Sequence, residues 1–345
     1  MVSATAGVRT SLLRDAHGRV ARDLRVSLTD RCNLRCSYCM PAEGVEWLPR
    51  KTMLSDDEVI RLISIGVRDL GINKVRFTGG EPLLRPGLVA IVRAAASLRQ
   101  ESPGLELSLT TNGVGLDLKA HALAEAGLDR VNISLDSLDR ARYASLARRD
   151  RLADVLSGIA AADAAGLRPV KINAVVLRGV NEDDVVPLAE FCLRWGYQLR
   201  FIEQMPLGPR QEWRPDRFVT QSEILALLGE RLGLTPHQGG RGSAPADLWD
   251  ASAPGLPPGR IGVIASVSAP FCGACDRTRI TSDGQLRNCL FASTETDLRG
   301  PLRGGASDAE IAELWRAGQY PKPAGHGIDT VGFVPPERTM SSIGG

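Results

Sequence analysis

Six of the seven cysteines fall into two tight groups: Cys32, Cys36 and Cys39 in a CxxxCxxC run, and Cys272 and Cys275 followed, after a gap of thirteen residues, by Cys289. Thiolates are the usual protein ligands of iron–sulfur clusters and also suit zinc. Three thiolates leave one iron of a four-iron cluster open, free to bind and reduce a small molecule. A structural zinc site would need a fourth ligand, and His17, His121, His237 and His326 stand at no standard spacing from either group. On these residues alone each group reads as an open-iron cluster or as a zinc site short of a ligand. The seventh, Cys192, lies between Phe191 and Leu193 in an apolar helical stretch and reads as core.

Cations at a spacing of two form a second pattern. Arg277 and Arg279 follow Cys275, and an extended segment turns both toward one face. The same period pairs Lys74 with Arg76 and Lys171 with Asn173. Charged residues are seldom buried without a partner, so a lysine inside a β-like run asks for an anion; otherwise it reaches solvent at a rim or meets a carboxylate.

Repeating βα units must carry these groups. Strand-like runs at residues 24–29, 74–78, 105–110, 130–135, 170–176 and 198–203 alternate with helical spacing at 55–70, 88–99, 118–126, 152–165 and 185–195. Ser55, Asp117 and Asn181 read as N-caps, and Gly71, Gly127, Gly166 and Gly196 as stops. Six repeats of this kind predict an α/β fold, an incomplete (βα)6 barrel over residues 1–205. The rhythm breaks after Met205. Residues 206–345 read as a smaller module with one helix near 221–232 and a Val/Ile run at 261–267 that leads into the second cysteine group; the segment 237–258 receives no role. The first residues read as a frayed start and residues 340–345, by default, as a disordered end.

Composition narrows the function classes. Forty-two basic and forty acidic residues balance to a net charge of +2, so no whole-chain field points to nucleic acid or an anionic membrane. No apolar run approaches the length of a spanning helix. An odd number of cysteines without an export signal predicts reduced thiols and a cytoplasmic protein.

The CxxxCxxC run, with Tyr38 before its last cysteine and the turn Thr78-Gly79-Gly80-Glu81-Pro82 after the next strand, resembles the radical S-adenosylmethionine (SAM) superfamily. Residues 271–290 resemble the auxiliary-cluster motif of the GTP 3′,8-cyclases of molybdenum-cofactor biosynthesis, and the likeness extends from about Leu13 to the end of the chain. It implies two [4Fe-4S] clusters, on Cys32, Cys36 and Cys39 and on Cys272, Cys275 and Cys289, the open iron of the second taken by guanine. It further implies SAM against Tyr38, Gly80, Ser134 and Met205. GTP would lie on Arg25, Lys74, Arg76, Thr110, Lys171, Arg277, Thr278 and Arg279, with Gly344 and Gly345 reaching in from the C-terminus. Arg25, Arg277 and Arg279 would serve as catalytic proton and hydrogen-bond donors.

By the same resemblance, a 5′-deoxyadenosyl radical takes hydrogen from ribose C3′, the carbon radical attacks guanine C8, and reduction yields 3′,8-cyclo-7,8-dihydroguanosine triphosphate. A cyclic pyranopterin monophosphate synthase would act next, a low-potential donor would supply electrons, and a homodimer is compatible. Two rivals make different demands. A peptide-modifying radical SAM enzyme calls for a broad neutral cleft, and a zinc-stabilised nucleic-acid module calls for interleaved aromatics and excess positive charge.

Overall fold

A computed structural model describes residues 12–209, 218–328, 330 and 332–344. Strands β1 (Asp23–Ser27), β2 (Lys74–Thr78), β3 (Glu106–Thr111), β4 (Arg130–Ser134), β5 (Lys171–Val176) and β6 (Gln198–Glu203) lie side by side in sequence order, all parallel. Helices α1 (Asp56–Leu70), α2 (Leu88–Ser97), α3 (Ala120–Glu125), α4 (Arg140–Ala147), α5 (Leu152–Ala164) and α6 (Val185–Trp195) make the crossovers. Leu24, Val26, Val75, Phe77, Leu107, Leu109, Val131, Ile133 and Ile172 alternate along the strands and are buried in the apolar core. That alternation leaves Arg25, Arg76, Thr110, Ser134, Asn173 and Arg200 to line a cavity inside the curve of the sheet.

The parallel run contains two more strands than the six repeats predict. After α7 (Gln221–Gly229), β7 (Gly233–Pro236) and β8 (Asp247–Ser252) form an antiparallel hairpin. Strand β9 (Gly259–Ile264) then adds in parallel to β6, and β10 (Arg277–Ile280) adds in parallel to β1, Arg25 opposite Arg279. The chain between β9 and β10 therefore passes from one edge of the six-stranded sheet to the other and carries the first two cysteines of the second group across the barrel opening. Strands β11 (Gln285–Arg287) and β12 (Thr296–Asp297) and helices α8 (Arg299–Arg303), α9 (Asp308–Gln319) and α10 (Met340–Ile343) complete the described chain.

Local signals explain the hits and the misses. Ser55 caps α1 in a reciprocal box with Glu58, and Gly71 ends that helix at φ 75°. Asp117 does not cap α3: Lys119 stands at its N-cap without a side-chain bond. The Asn181 side chain also caps nothing; its Oδ1 accepts from Leu177 N, and its Nδ2 donates to the Asp136 and Val175 carbonyls. The segment 237–258, left without a role, contains β8 of the hairpin. Residues 340–343 form α10 instead of a disordered end.

Candidate active site

The first cysteine loop leaves β1 and is clamped from two sides. The carbonyls of Ala147 and Leu146, at the C-terminal end of α4, accept from Arg35 N and Ser37 N at 3.0 Å each. Arg148, held at φ 52°, donates from Nη1 to the Met40 carbonyl at 3.0 Å. On the other side Gly80 N and Glu81 N donate to Thr29 O and Arg31 O at 2.7 Å. A Cβ on Gly80 would lie 2.3 Å from Arg31 O, so in this structure the glycine turn is required by the cysteine loop itself. Gly80 does not line the cavity.

Glu81 is fully buried and accepts from Leu83 N, Thr111 Oγ1 and Asn112 N at 2.7–2.9 Å. Burial pushes its carboxyl up to about 7. It thereby fixes Asn112, whose Nδ2 reaches Cys32 Sγ at 3.8 Å. Tyr38 donates to Asp136 Oδ2 at 2.7 Å, and burial raises Asp136 to about 6. Burial also raises all three thiols, Cys39 to about 12 and Cys36 well above its ordinary value. Thiols held so dry ionise when a bound metal supplies the positive charge.

The second group is organised differently. Glu203, fully buried, accepts from Val267 N and Ser268 N at 2.8 Å and from the Ser268 hydroxyl, anchoring the crossing chain on β6. Arg19 donates to the Cys272 carbonyl at 2.7 Å. Lys322 Nζ stands 3.3 Å from Cys275 Sγ, and Arg277 Nη1 stands 3.8 Å from it. Burial works against the Cys275 thiolate, but Lys322 and Arg277 outweigh it and lower that thiol. Among the described residues no three His, Cys, Asp or Glu side chains converge on one point as a single ion requires. The chemistry of each triad fits a four-iron cluster: three thiols, from one loop in the first group and from either side of β10 and β11 in the second, with nitrogen donors of Asn112 at Cys32 and of Lys322 and Arg277 at Cys275.

One cavity reaches from the first triad's surroundings to the second. Tyr38, Ser134, Asp136 and Met205 line it together with Arg25, Arg76, Thr110, Arg200, Arg277 and Arg279. A smaller cavity bounded by Cys272, Cys275 and Cys289 adjoins it, sharing Met205, Ser266, Phe271, Arg277, Arg279 and Leu290. Arg277 also lies over the Phe271 ring, 4.7 Å from its centroid.

The cavity is strongly cationic. The buried Nε atoms of Arg25, Arg76, Arg200 and Arg277 have no hydrogen-bond partner. Burial, reinforced by neighbouring arginines, lowers Arg25 well below its ordinary value, Arg200 to about 9 and Arg279 to about 10. Lys171 falls to about 6 through burial and the charges of Arg200, Arg130 and Arg76. Burial alone would raise Asp23, yet Arg25, Arg76, Arg277 and Arg279 together pull it to about 2. So many unsatisfied donors facing one space call for a polyanion.

The remaining sequence candidates sit around this space. Lys74 leans outward and meets Asp276 at 3.9 Å. Lys171 lies on β5 opposite Asn132 and Gln198 and is not among the residues lining the cavity. Thr278 is not brought into the cavity: its hydroxyl, on the helix side of β10, accepts from Trp315 Nε1 at 3.0 Å. Gly344, at φ 86°, reaches the C-terminal ends of β1 and β2, where its carbonyl accepts from Arg279 Nη1 at 2.7 Å. Gly345 lies outside the described residues. Cys192 is buried in the core.

Sequence reasoning missed Arg200, Arg130, Asp136 and Lys322, and gave Glu81 no role of its own within the glycine turn. A legible signal existed for Arg200, since Gln198, Arg200 and Ile202 repeat the period of two that singled out Lys74 and Arg76.

Comparison with known proteins agrees with this geometry. Residues 26–192 match the Radical SAM superfamily, and residues 197–328 match Molybdenum Cofactor Synthesis C. The GTP 3′,8-cyclase of Corynebacterium glutamicum (strain ATCC 13032) is 61% identical over 97% of this chain and 89% of its own. GTP 3′,8-cyclase 2 of Mycobacterium tuberculosis (strain H37Rv) is 59% identical over 97% and 93%. Among solved structures, Streptococcus suis SuiB bound to S-adenosylmethionine superposes with a TM-score of 0.58 at 14% identity, covering 91% of this chain and 67% of that one, a likeness of fold. With two cysteine triads beside a cationic cavity lined by Tyr38, and relatives of that identity over nearly its whole length, the chain belongs to the GTP 3′,8-cyclase family of radical SAM enzymes.

Proposed function

We propose that this protein converts GTP to (8S)-3′,8-cyclo-7,8-dihydroguanosine 5′-triphosphate in molybdenum-cofactor biosynthesis, with SAM and two [4Fe-4S] clusters as cofactors. The observation that carries the reading is a cavity that has Tyr38 of the first cysteine loop on its wall and adjoins the space bounded by the second triad, with five arginines lining it: Arg25, Arg76, Arg200, Arg277 and Arg279. Cys32, Cys36 and Cys39 would hold a cluster that, when bound, would supply the electron for cleaving SAM into methionine and a hydrogen-abstracting 5′-deoxyadenosyl radical.

The chain's own residues do the rest. Tyr38, Ser134 and Met205 form the SAM side of the cavity. Arg25, Arg76 and Arg200 hold the triphosphate with Thr110; Lys171, which does not line the cavity but feels the charges of Arg76 and Arg200, takes the triphosphate's outer end; and Arg277 and Arg279 donate hydrogen bonds nearer the base, which faces the second triad. Gly80 acts through the cysteine loop it packs on. Gly344, held by Arg279 at the ends of β1 and β2, closes the mouth and excludes water. Residues 206–345 act as the module that brings the second cluster to the barrel of residues 1–205. The polyanion subsite favours this reading over a peptide substrate.

No described helix is long and apolar enough to cross a membrane, and all seven cysteines are free. We place the reaction in the cytoplasm, with a low-potential electron donor and a cyclic pyranopterin monophosphate synthase as partners.

Lys171 makes GTP binding a protonic event. Burial and Arg200, Arg130 and Arg76, opposed by Glu106, hold the free lysine at about 6, so that it is mostly neutral well above that pH. A bound triphosphate restores its charge, so binding takes up a proton and affinity falls as pH rises, by up to about tenfold per unit for one proton. Anaerobic calorimetry of the holoprotein with GTP, in buffers of different ionisation enthalpy between about pH 7.5 and 9, should show this uptake and its loss in Lys171→Met. Failure of GTP to bind would refute the substrate. Binding without proton uptake would remove Lys171 from the triphosphate site.

A further inference from the structure

Lys322 follows α9 and is buried, with only 3% of its surface accessible. Its Nζ stands 2.7 Å from Arg277 O, 3.1 Å from Cys275 O and 3.3 Å from Cys275 Sγ. Three acceptors on one nitrogen match the three donors of an ammonium, where a neutral amine would present a lone pair to one of them. Arg19 fixes the segment, donating to the carbonyls of Lys322, Pro323 and Ala324 and to that of Cys272. Lys322 lines neither cavity. It approaches the second triad from behind, where it touches the ligand and not the substrate space.

A buried cation bonded to a ligand sulfur favours the more negative state of whatever that sulfur holds, and such outer contacts tune cluster potentials. We propose that Lys322 sets the reduction potential of the cluster on Cys272, Cys275 and Cys289, stabilising its reduced state through Cys275 Sγ. This rests on the two-cluster reading above. Lys322 is a positioning residue for the reaction: it holds the second cluster within reach of reduction while Arg277 and Arg279 handle substrate.

Two measurements on the reconstituted holoprotein test it, after iron analysis and the resonance of the reduced second cluster establish that the cluster is present; its absence from the unaltered protein would fail the two-cluster reading instead. The chain has only five lysines, so labelling lysine with nitrogen-15 is nearly site-specific. Pulsed electron paramagnetic resonance of the reduced second cluster should show a nitrogen-15 coupling that disappears in Lys322→Arg, whose side chain carries no label. In potentiometric titration, Lys322→Met should shift the second cluster's reduction equilibrium more than tenfold toward the oxidised state, over about 59 mV for one electron. The first cluster's potential should not change, and Lys322→Arg should bring most of the second cluster's potential back. An unchanged potential in a fully loaded Lys322→Met protein would overturn the proposal. Should that variant fail to hold its iron, the unaltered protein still decides, since absence of the nitrogen-15 coupling would overturn the proposal equally.

Discussion

Cys36→Ala should form no 5′-deoxyadenosine with any substrate and should retain about half the iron of the unaltered protein, because only the second triad remains able to hold a cluster. Cys275→Ala should give the opposite pattern: 5′-deoxyadenosine still forms from SAM, but cyclised nucleotide falls below detection. The asymmetry follows from where each triad sits. Cys36 belongs to a loop clamped between the end of α4 and the Gly79-Gly80 turn, beside Tyr38 and Asp136. Cys275 lies on the crossing chain next to β10, which carries Arg277 and Arg279 into the cavity. Iron and sulfide analysis, with product chromatography, checks both variants. Equal loss of SAM cleavage in the two would mean that the triads do not act separately.

Gly344→Val should lower turnover by about 10²–10³-fold, the range found when a donor arrangement around a reacting centre is lost. Gly344 has φ 86°, a region a β-branched residue adopts only with strain. A Cβ there would lie 2.1 Å from Ser27 Oγ and 2.5 Å from Thr78 Oγ1, on two paired strands with little room to move. The terminus would have to leave the mouth, and Arg279 would lose its bond to the Gly344 carbonyl. The damage should stay local. Arg338 still ties the preceding segment to Asp283 and Glu295, with contacts of 2.8–3.0 Å. Thermal stability should therefore match the unaltered protein while product formation collapses, a contrast that paired melting and turnover measurements would read. A fall in melting temperature that accounted for the lost activity would assign Gly344 to folding instead.

The chemistry of this protein was more legible in its sequence than its architecture. The spacing of Cys32, Cys36 and Cys39 survives without a structure because one loop supplies all three ligands. The cations at positions 76, 277 and 279 were legible for a similar reason: a strand's period of two fixes their face before the partner strands are known, whereas Arg25 was reached only through the family resemblance. Thr278 shows the limit of carrying a motif across whole, since its place between two inward arginines turns its hydroxyl toward Trp315.

What the sequence hid is mostly long-range. Nothing local tells that β9 and β10, only twelve residues apart, attach to opposite edges of the sheet. Glu81 and Lys322 act through contacts with residues about 30 and 47 positions away. The order of residues 340–343 comes from Ser27, Leu207 and Arg279, distant in sequence, against a local composition that favours a loose end.

The measurement closest to the central claim is 5′-deoxyadenosine formation by the anaerobically reconstituted protein with SAM and a reductant, comparing GTP with ATP and with a peptide. Stimulation by GTP alone, accompanied by a cyclised guanosine triphosphate, is the predicted result. Equal cleavage under all three conditions would leave radical SAM chemistry intact and contradict GTP as the substrate of the arginine-lined cavity.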